Sequence, residues 1–219
     1  MGERQILFPD PRNAGPDGLL CVGGDLEVDT LYAAYSQGIF PWPQEGLPLL
    51  WFSPWERGVL DFKDVHWPRR FLRDLRKSEF EVTFNQAFAS VIHECAKQPR
   101  VHEQGTWILP EMQFAYEKFH EAGYAHSIEC WKDGVLVGGM YGVYVEGVFS
   151  GESMFHRASG ASKMCLYRAI EKLRESGIEW IDIQMVTPVL ETFGGKYISR
   201  DEYLERLEKA HRAPRALRF

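Results

Sequence analysis

The fold turns on Ala125-His126-Ser127-Ile128-Glu129-Cys130-Trp131-Lys132-Asp133-Gly134-Val135-Leu136-Val137-Gly138-Gly139-Met140-Tyr141-Gly142-Val143-Tyr144-Val145-Glu146-Gly147-Val148-Phe149-Ser150. Residues 125–131, 135–144 and 148–150 read as strands, separated by Lys132-Asp133-Gly134 and Glu146-Gly147. Asp-Gly and Glu-Gly turns favour tight reversals, so the stretch predicts an antiparallel meander. Working outward, Ala161–Glu175 is a long amphipathic helix ended by Gly177, Glu179–Gln184 is a strand, and Arg200–Lys209 is a last helix. Upstream, Pro68–Lys77 is a helix with proline allowed in its first turn. Phe80–Phe84 alternates like a strand, Asn85 caps a helix reaching Ala96, and Glu111–His120 is a further helix.

Helices interleaved with a mostly antiparallel sheet give an α+β or mixed α/β fold. The order helix, helix, meander, helix, strand suggests an acetyltransferase-like core, an analogy of fold that fixes no function. Before residue 63 the character changes. Proline and glycine cluster at Pro9, Pro11, Gly15, Pro16, Gly18, Gly23 and Gly24, then at Pro41, Pro43, Gly46 and Pro48, which means short elements and many turns. A short helix over Leu26–Tyr35, stopped by Gly38, and strands at Leu49–Phe52 and Gly58–Phe62 complete a small N-terminal domain, 1–62, followed by a second domain, 63–219.

Composition bounds the function. Hydrophobic residues at 45% and charged residues at 26% are a globular balance. No apolar run reaches the roughly 18 residues of a membrane helix, and the first residues lack the basic start and apolar core of a secretory signal. Four cysteines without a C-x-x-C spacing fit a reduced, cytoplasmic protein. The net charge of −6 confines any nucleic-acid contact to a local patch. Several motifs fail. His93-Glu94, His102-Glu103 and His120-Glu121 lack the second histidine of H-E-x-x-H. Gly151-Glu152-Ser153-Met154-Phe155 lacks the second glycine of a nucleophile elbow. Arg157–Ser162 is a near match to a coenzyme A pyrophosphate loop, with Ser162 where glycine or alanine belongs.

A set of dense motifs remains: Gly18-Leu19-Leu20-Cys21-Val22-Gly23-Gly24-Asp25-Leu26, Gly38-Ile39-Phe40-Pro41-Trp42, Leu50-Trp51-Phe52-Ser53-Pro54, Gly105-Thr106-Trp107-Ile108, His126-Ser127-Ile128-Glu129, Gly138-Gly139-Met140-Tyr141-Gly142-Val143, Gly151–Phe155, Ala161-Ser162-Lys163 and Ile181-Asp182-Ile183-Gln184. In this order and spacing, from about residue 7 to about residue 205, they resemble the leucyl/phenylalanyl-tRNA–protein transferase family. The resemblance implies transfer of Leu or Phe, and Met less well, from aminoacyl-tRNA to the α-amino group of proteins beginning with Arg or Lys. The product is a degradation signal in the bacterial cytoplasm. It also implies a small N-terminal domain, an acetyltransferase-like C-terminal domain, and no metal or coenzyme. We expect a monomer with no membrane partner.

Aminolysis of an ester needs a neutral amine, a route for its proton and a stabiliser for the oxyanion. Asp182 and Gln184, two apart on a strand, share one face, with Ile181 and Ile183 on the other. By resemblance they are the catalytic pair and Glu152 lies beside them, positioning Gln184 or holding a cationic acceptor. Met140 and Met154 match the family's donor-pocket positions, with Phe155 nearby, and methionine suits tolerance for Leu, Phe and Met. Trp51 and Trp107 match aromatic positions that hold the terminal adenosine or the aminoacyl group, where a base can stack. Arg69, Arg70, Arg73, Arg76 and Lys77 crowd helix 68–77 against Asp74 alone. Arg69, Arg73, Arg76 and Lys77 fall on one face at 3.6 residues per turn, matching the family's basic helix for the tRNA acceptor stem. The tail from Arg206 to Arg218 is also basic.

Departures fall at His156, where serine is expected, and in the loop after the catalytic strand, at Val189 and Thr192-Phe193-Gly194-Gly195. They bear on donor or acceptor preference. Two rivals stand beside this reading: a coenzyme A-dependent N-acetyltransferase and a non-enzymatic RNA-binding module.

Overall fold

The computed structural model describes residues 7–98 and 106–219, so the His102-Glu103 pair and Gly105 lie outside the described residues. In chain order the elements are β1 (Leu19–Val22), α1 (Val28–Tyr35), β2 (Phe40–Pro41), β3 (Leu50–Phe52), β4 (Glu56–Asp61), α2 (Arg69–Lys77), β5 (Glu81–Phe84), α3 (Phe88–Ala96) and α4 (Pro110–Glu121). Then come β6 (Ala125–Lys132), β7 (Val135–Val145), β8 (Val148–His156), α5 (Ala161–Glu175), β9 (Trp180–Gln184), α6 (Pro188–Glu191), β10 (Lys196–Ser199) and α7 (Arg200–Arg212). A three-stranded sheet has the order β1-β3-β2, and a seven-stranded sheet the order β10-β4-β9-β8-β7-β6-β5. The meander β6-β7-β8 is antiparallel, and β8 pairs with β9 in parallel. A parallel pair needs a crossover connection, here α5. This is the α+β order of helix, helix, meander, helix and strand expected from the sequence.

Two expectations are corrected. The third meander strand runs past Ser150 to His156, and Ser153 sits mid-strand opposite Tyr141. Asn85 does not cap α3: it has φ 59°, and its Oδ1 accepts from the Ser127 amide while Ala87 holds the cap position. Asparagine tolerates the left-handed region better than most residues, and here the bond to Ser127, 42 residues away on β6, holds its side chain.

The core lies on both faces of the large sheet. One cluster packs Leu31 of α1, Val91 of α3 and Tyr116 and Phe119 of α4 against Tyr141 and Phe155. The other packs Leu166 and Ile170 of α5 against Ile128, Met140, Ile181 and Ile183. Neighbours Met140 and Tyr141 enter different clusters because successive strand side chains point oppositely. Val59, Val148 and Ile198 meet Tyr203 and Leu207 of α7 in a third.

β4, counted with the N-terminal segment in the sequence reading, is an inner strand of the large sheet, with Val59 opposite Asp182 on one side and Lys196 on the other. Its partners lie 119 to 143 residues downstream, and nothing in the run Gly58–Phe62 announces them. The buried Arg200 of α7 also reaches back, Nη1 donating to the Pro11 and Ser53 carbonyls at 2.7 and 3.2 Å.

Candidate active site

β9 and β4 bring Asp182 against Arg57. Arg57 Nε donates to Asp182 Oδ1 at 2.8 Å and Nη2 to Oδ2 at 2.6 Å, with the two side chains 2% and 0% exposed. Oδ1 also accepts the Gln184 amide at 2.9 Å, and Oδ2 accepts the Tyr203 hydroxyl at 3.0 Å and Ser150 Oγ at 3.2 Å. Five donors fill a carboxylate with about four lone-pair sites. The guanidinium is sandwiched between the Phe40 and Tyr203 rings, 4.6 and 4.5 Å from their centroids. Burial works against its charge, but the Asp182 carboxylate holds its pKa above the ordinary arginine value. Sequence reading missed Arg57, because a lone arginine carries no sign of a partner 125 residues away.

The same strand end aims Gln184. Its φ is 56°, and Gly58 lies opposite it, where an added Cβ would stand 2.9 Å from the Met185 carbonyl carbon and 3.1 Å from that of Gln184. Gln184 Nε2 donates to Glu152 Oε1 at 2.9 Å. Glu152 gets there through a bulge: Tyr141 pairs with Ser153 and Gly142 with Gly151, leaving Glu152 as the extra residue of β8. A bulge re-aims one side chain. Burial pushes the Glu152 carboxyl up to about 7, opposed by hydrogen bonds from Tyr35 and Gln184 and assisted by the charge of Asp182. Tyr35 and Tyr116, joined hydroxyl to hydroxyl, were not singled out in the sequence; burial raises both phenols well above the ordinary value.

Met140 and Met154 face each other across β7 and β8 and pack toward the start of α5 with Ala161 and Met164. Phe155 is buried in the other cluster, under Gly139 and Val91. Trp51 is 1% exposed, its Nε1 donating to the Gly23 carbonyl at 2.9 Å. Trp107 lies 5.8 Å from Trp42, which is half-buried. Trp42 was therefore missed as a member of the aromatic pair, although Gly38–Trp42 was among the conspicuous motifs. Trp42 and Gln184 together line an open cavity of about 480 Å³ whose wall also carries Trp55, Met185 and the carboxylates of Asp17 and Glu56.

The basic residues of α2 are all exposed, while Phe71, Leu72 and Leu75 turn inward. Phe71 joins Trp67, Tyr167 and Phe193 in an aromatic cluster. Arg70 and Arg73 share Asp74 at 3.6 and 3.3 Å. Arg69, Arg76 and Lys77 form no ion pair among the described residues. In the loop before α5, the Arg157 guanidinium of the coenzyme-like near match is paired with Glu94, which Lys97 shares.

Residues 59–208 match the family model described as Leucyl/phenylalanyl-tRNA protein transferase, and residues 24–54 match that of its N-terminal domain. A leucyl/phenylalanyl-tRNA–protein transferase from Anaeromyxobacter sp. (strain K) is 47% identical over 211 residues, covering 96% of this chain and 91% of the relative. One from Nitratidesulfovibrio vulgaris (strain DP4) is 46% identical over 208 residues, covering 95% and 89%. A solved GCN5-related N-acetyltransferase-like protein from Streptococcus suis is 14% identical with a TM-score of 0.39, over 78% of this chain and 64% of that one.

Proposed function

The chain belongs to the leucyl/phenylalanyl-tRNA protein transferase family, and from that premise we propose that it moves the leucyl or phenylalanyl group, and methionyl less well, from tRNA onto the α-amino group of a protein beginning with Arg or Lys, in the cytoplasm and as a monomer. The observation that carries this reading is the Glu152–Gln184 contact held in place by the buried Arg57–Asp182 pair.

The attacking amine must be neutral. Glu152, half-buried with its carboxyl near 7, is matched to accept the ammonium proton at neutral pH. Gln184 spends its amide N–H on Glu152, leaving its carbonyl oxygen to receive the amine. The amine nitrogen then bonds to the ester carbonyl carbon and gives up its second proton, the bond from that carbon to the ribose oxygen breaks, and the proton lost by nitrogen ends on the ribose oxygen. Asp182 is a positioning residue: every oxygen is occupied, so it fixes the Gln184 backbone and leaves base chemistry to Glu152.

The cavity beside Gln184 supplies the acceptor end. Asp17 and Glu56 suit a cationic first side chain, and Trp42 and Trp55 offer faces to a guanidinium or ammonium. On the donor side, Met154 and Met140 supply the polarisable wall, Phe155 backs it from the opposite face, and Trp107 with Trp42 forms the platform for the terminal adenosine. Trp51 supports that platform from the core. α2 meets acceptor-stem phosphates.

The deciding test is transfer of labelled Leu from charged tRNA to a peptide beginning with Arg, with a peptide beginning with Ala as control. Labelled product with Arg alone supports the reading; no product with either defeats it. A lack of thermal stabilisation by acetyl-CoA would separate this chemistry from an acetyltransferase.

A further inference from the structure

A broad cleft of about 820 Å³ opens at the start of β9, beside Trp180, about 13 Å from Gln184 along the strand at roughly 3.3 Å per residue. Its walls are the end of α5, the turn after β4, the last turns of α7 and the C-terminal tail. The cations lining it are Lys63, Arg174, Arg206, Lys209 and Arg215, against Asp61 and Glu179. Asp61 is already neutralised by Arg206 and Lys196 at 2.7 and 2.8 Å. Lys63, Lys209 and Arg215 are exposed and form no ion pair among the described residues. The cleft therefore carries surplus positive charge in a chain of net charge −6.

The basic tail is a fixed wall. The Tyr144 hydroxyl donates to the Arg215 carbonyl, the Arg218 amide donates to Ser176 Oγ at 3.2 Å, and the Phe219 ring packs 5.1 Å from Phe84. The cleft also continues the basic helix. Arg174 donates to the Phe62 carbonyl, and Trp67 meets Tyr167 edge-on with centroids 5.3 Å apart. Residues 62–67 therefore run back along α5 from Arg174 to Tyr167, about 10 Å at roughly 1.5 Å per residue, and α2 begins just beyond. The cleft and the start of α2 therefore lie against the same helix, near Arg174 and near Tyr167.

We propose that this cleft is a second phosphate-binding surface, taken by the sugar–phosphate backbone of the donor tRNA beyond the acceptor-stem stretch that meets α2. The inference rests on the reading of aminoacyl-tRNA as donor. Lysine and arginine contacts to phosphate set the position of a duplex without reading its sequence, which suits an enzyme whose specificity lies in the aminoacyl pocket. The open, shallow cleft fits a strand backbone passing across it.

The experiment is Lys63→Glu/Lys209→Glu in the full chain, with uncharged tRNA affinity followed by fluorescence anisotropy across a KCl series. Neither side chain has an ion pair to lose among the described residues, and Lys63→Gln/Lys209→Gln serves as a milder second variant. The slope of log affinity against log salt should flatten by about two, one per phosphate contact. Transfer from a minimal aminoacyl-adenosine donor, too short to reach the cleft, should keep the wild-type kcat/KM. An unchanged tRNA affinity and salt slope in both variants overturns the cleft while leaving the transferase reading intact. A wild type that transfers from neither donor overturns both.

Discussion

Arg57 and Asp182 form a two-pronged ion pair with both side chains buried, between adjacent strands of the large sheet. Breaking one side of a buried pair leaves an uncompensated charge, at a cost of about 3–5 kcal/mol. Asp182→Asn should accordingly lower Tm by on the order of 10 °C. It should also lower kcat, because the Gln184 backbone loses its anchor. The discriminating readout is the pH profile of kcat/KM. Asp182's charge helps raise the Glu152 carboxyl and Arg57 lowers it, so the variant's Glu152-dependent limb should move to lower pH. A limb that disappears instead would make Asp182 the base.

Glu152→Gln removes the group whose carboxyl sits near 7. In the wild type, activity should rise with pH through about 7 as the carboxylate forms. That limb should be absent from the variant, leaving only the acceptor's own α-amino limb near about 8, with turnover down on the order of 10²–10⁴-fold. The stability sign is opposite. The folded state holds this proton more tightly than the unfolded chain, whose value is near 4.5. The contribution is therefore complete below 4.5 and lost as pH rises through about 7. Thermal melts from pH 5 to 8 should show the wild type losing stability relative to Glu152→Gln. Parallel melting curves would contradict the raised carboxyl.

Gly58→Ala tests the aim of Gln184. The added methyl would stand 2.9 Å from the Met185 carbonyl carbon, so the backbone carrying Gln184 must shift. Because a displacement of about 1 Å at a positioning residue can cost on the order of 10²-fold, kcat should fall while tRNA affinity stays at the wild-type value. Unchanged turnover would show that the Gln184 geometry is not critical.

Much of this was legible before the structure, and the failures have physical causes. The meander and α5 announced themselves through local turn chemistry and helical periodicity, down to the Ala161–Glu175 limits of the helix. The Asp182–Gln184 spacing put two polar groups at the end of one strand. What was not legible depended on distant pairing or on irregularity. β4 joins the large sheet through partners 119 to 143 residues downstream. Arg57 is meaningful only opposite Asp182, and Tyr35 and Tyr116 become site residues only where α1 and α4 converge. Glu152 beside Gln184 was legible through the family resemblance alone: a bulge puts it there, and strict period-two alternation cannot foresee a bulge. The resemblance named Trp51 and gave Trp42 no role; burial separates them, since Trp51 is sealed against Gly23 and Trp42 faces Trp107.

Charge reversal at Arg73 and Arg76 probes the exposed face of α2. Neither side chain supports the core, and the inward residues Phe71, Leu72 and Leu75 are untouched. Affinity for tRNA should drop and its salt slope should flatten by about two, with Tm held. Equal loss of transfer from aminoacyl-tRNA and from aminoacyl-adenosine would mark the helix as structural.

Met140→Ala asks whether the methionine pair meets the donor. Met140 is 2% exposed, opposite Met154 and under the first turn of α5, so truncation both costs stability and opens space beside Met154. A buried Met→Ala change costs about 2–5 kcal/mol, a loss that acts equally on every donor. Discrimination separates the two effects. An apolar pocket distinguishes one methylene by roughly 1–3 kcal/mol, so an enlarged pocket should change the ratio of kcat/KM for Leu-tRNA over Phe-tRNA by about tenfold, in favour of the bulkier phenylalanyl group. Measured at a temperature where the variant is folded, that ratio is insensitive to the stability loss. A ratio held at the wild-type value would place Met140 wholly in the core beneath α5, with Met154 alone forming the donor wall.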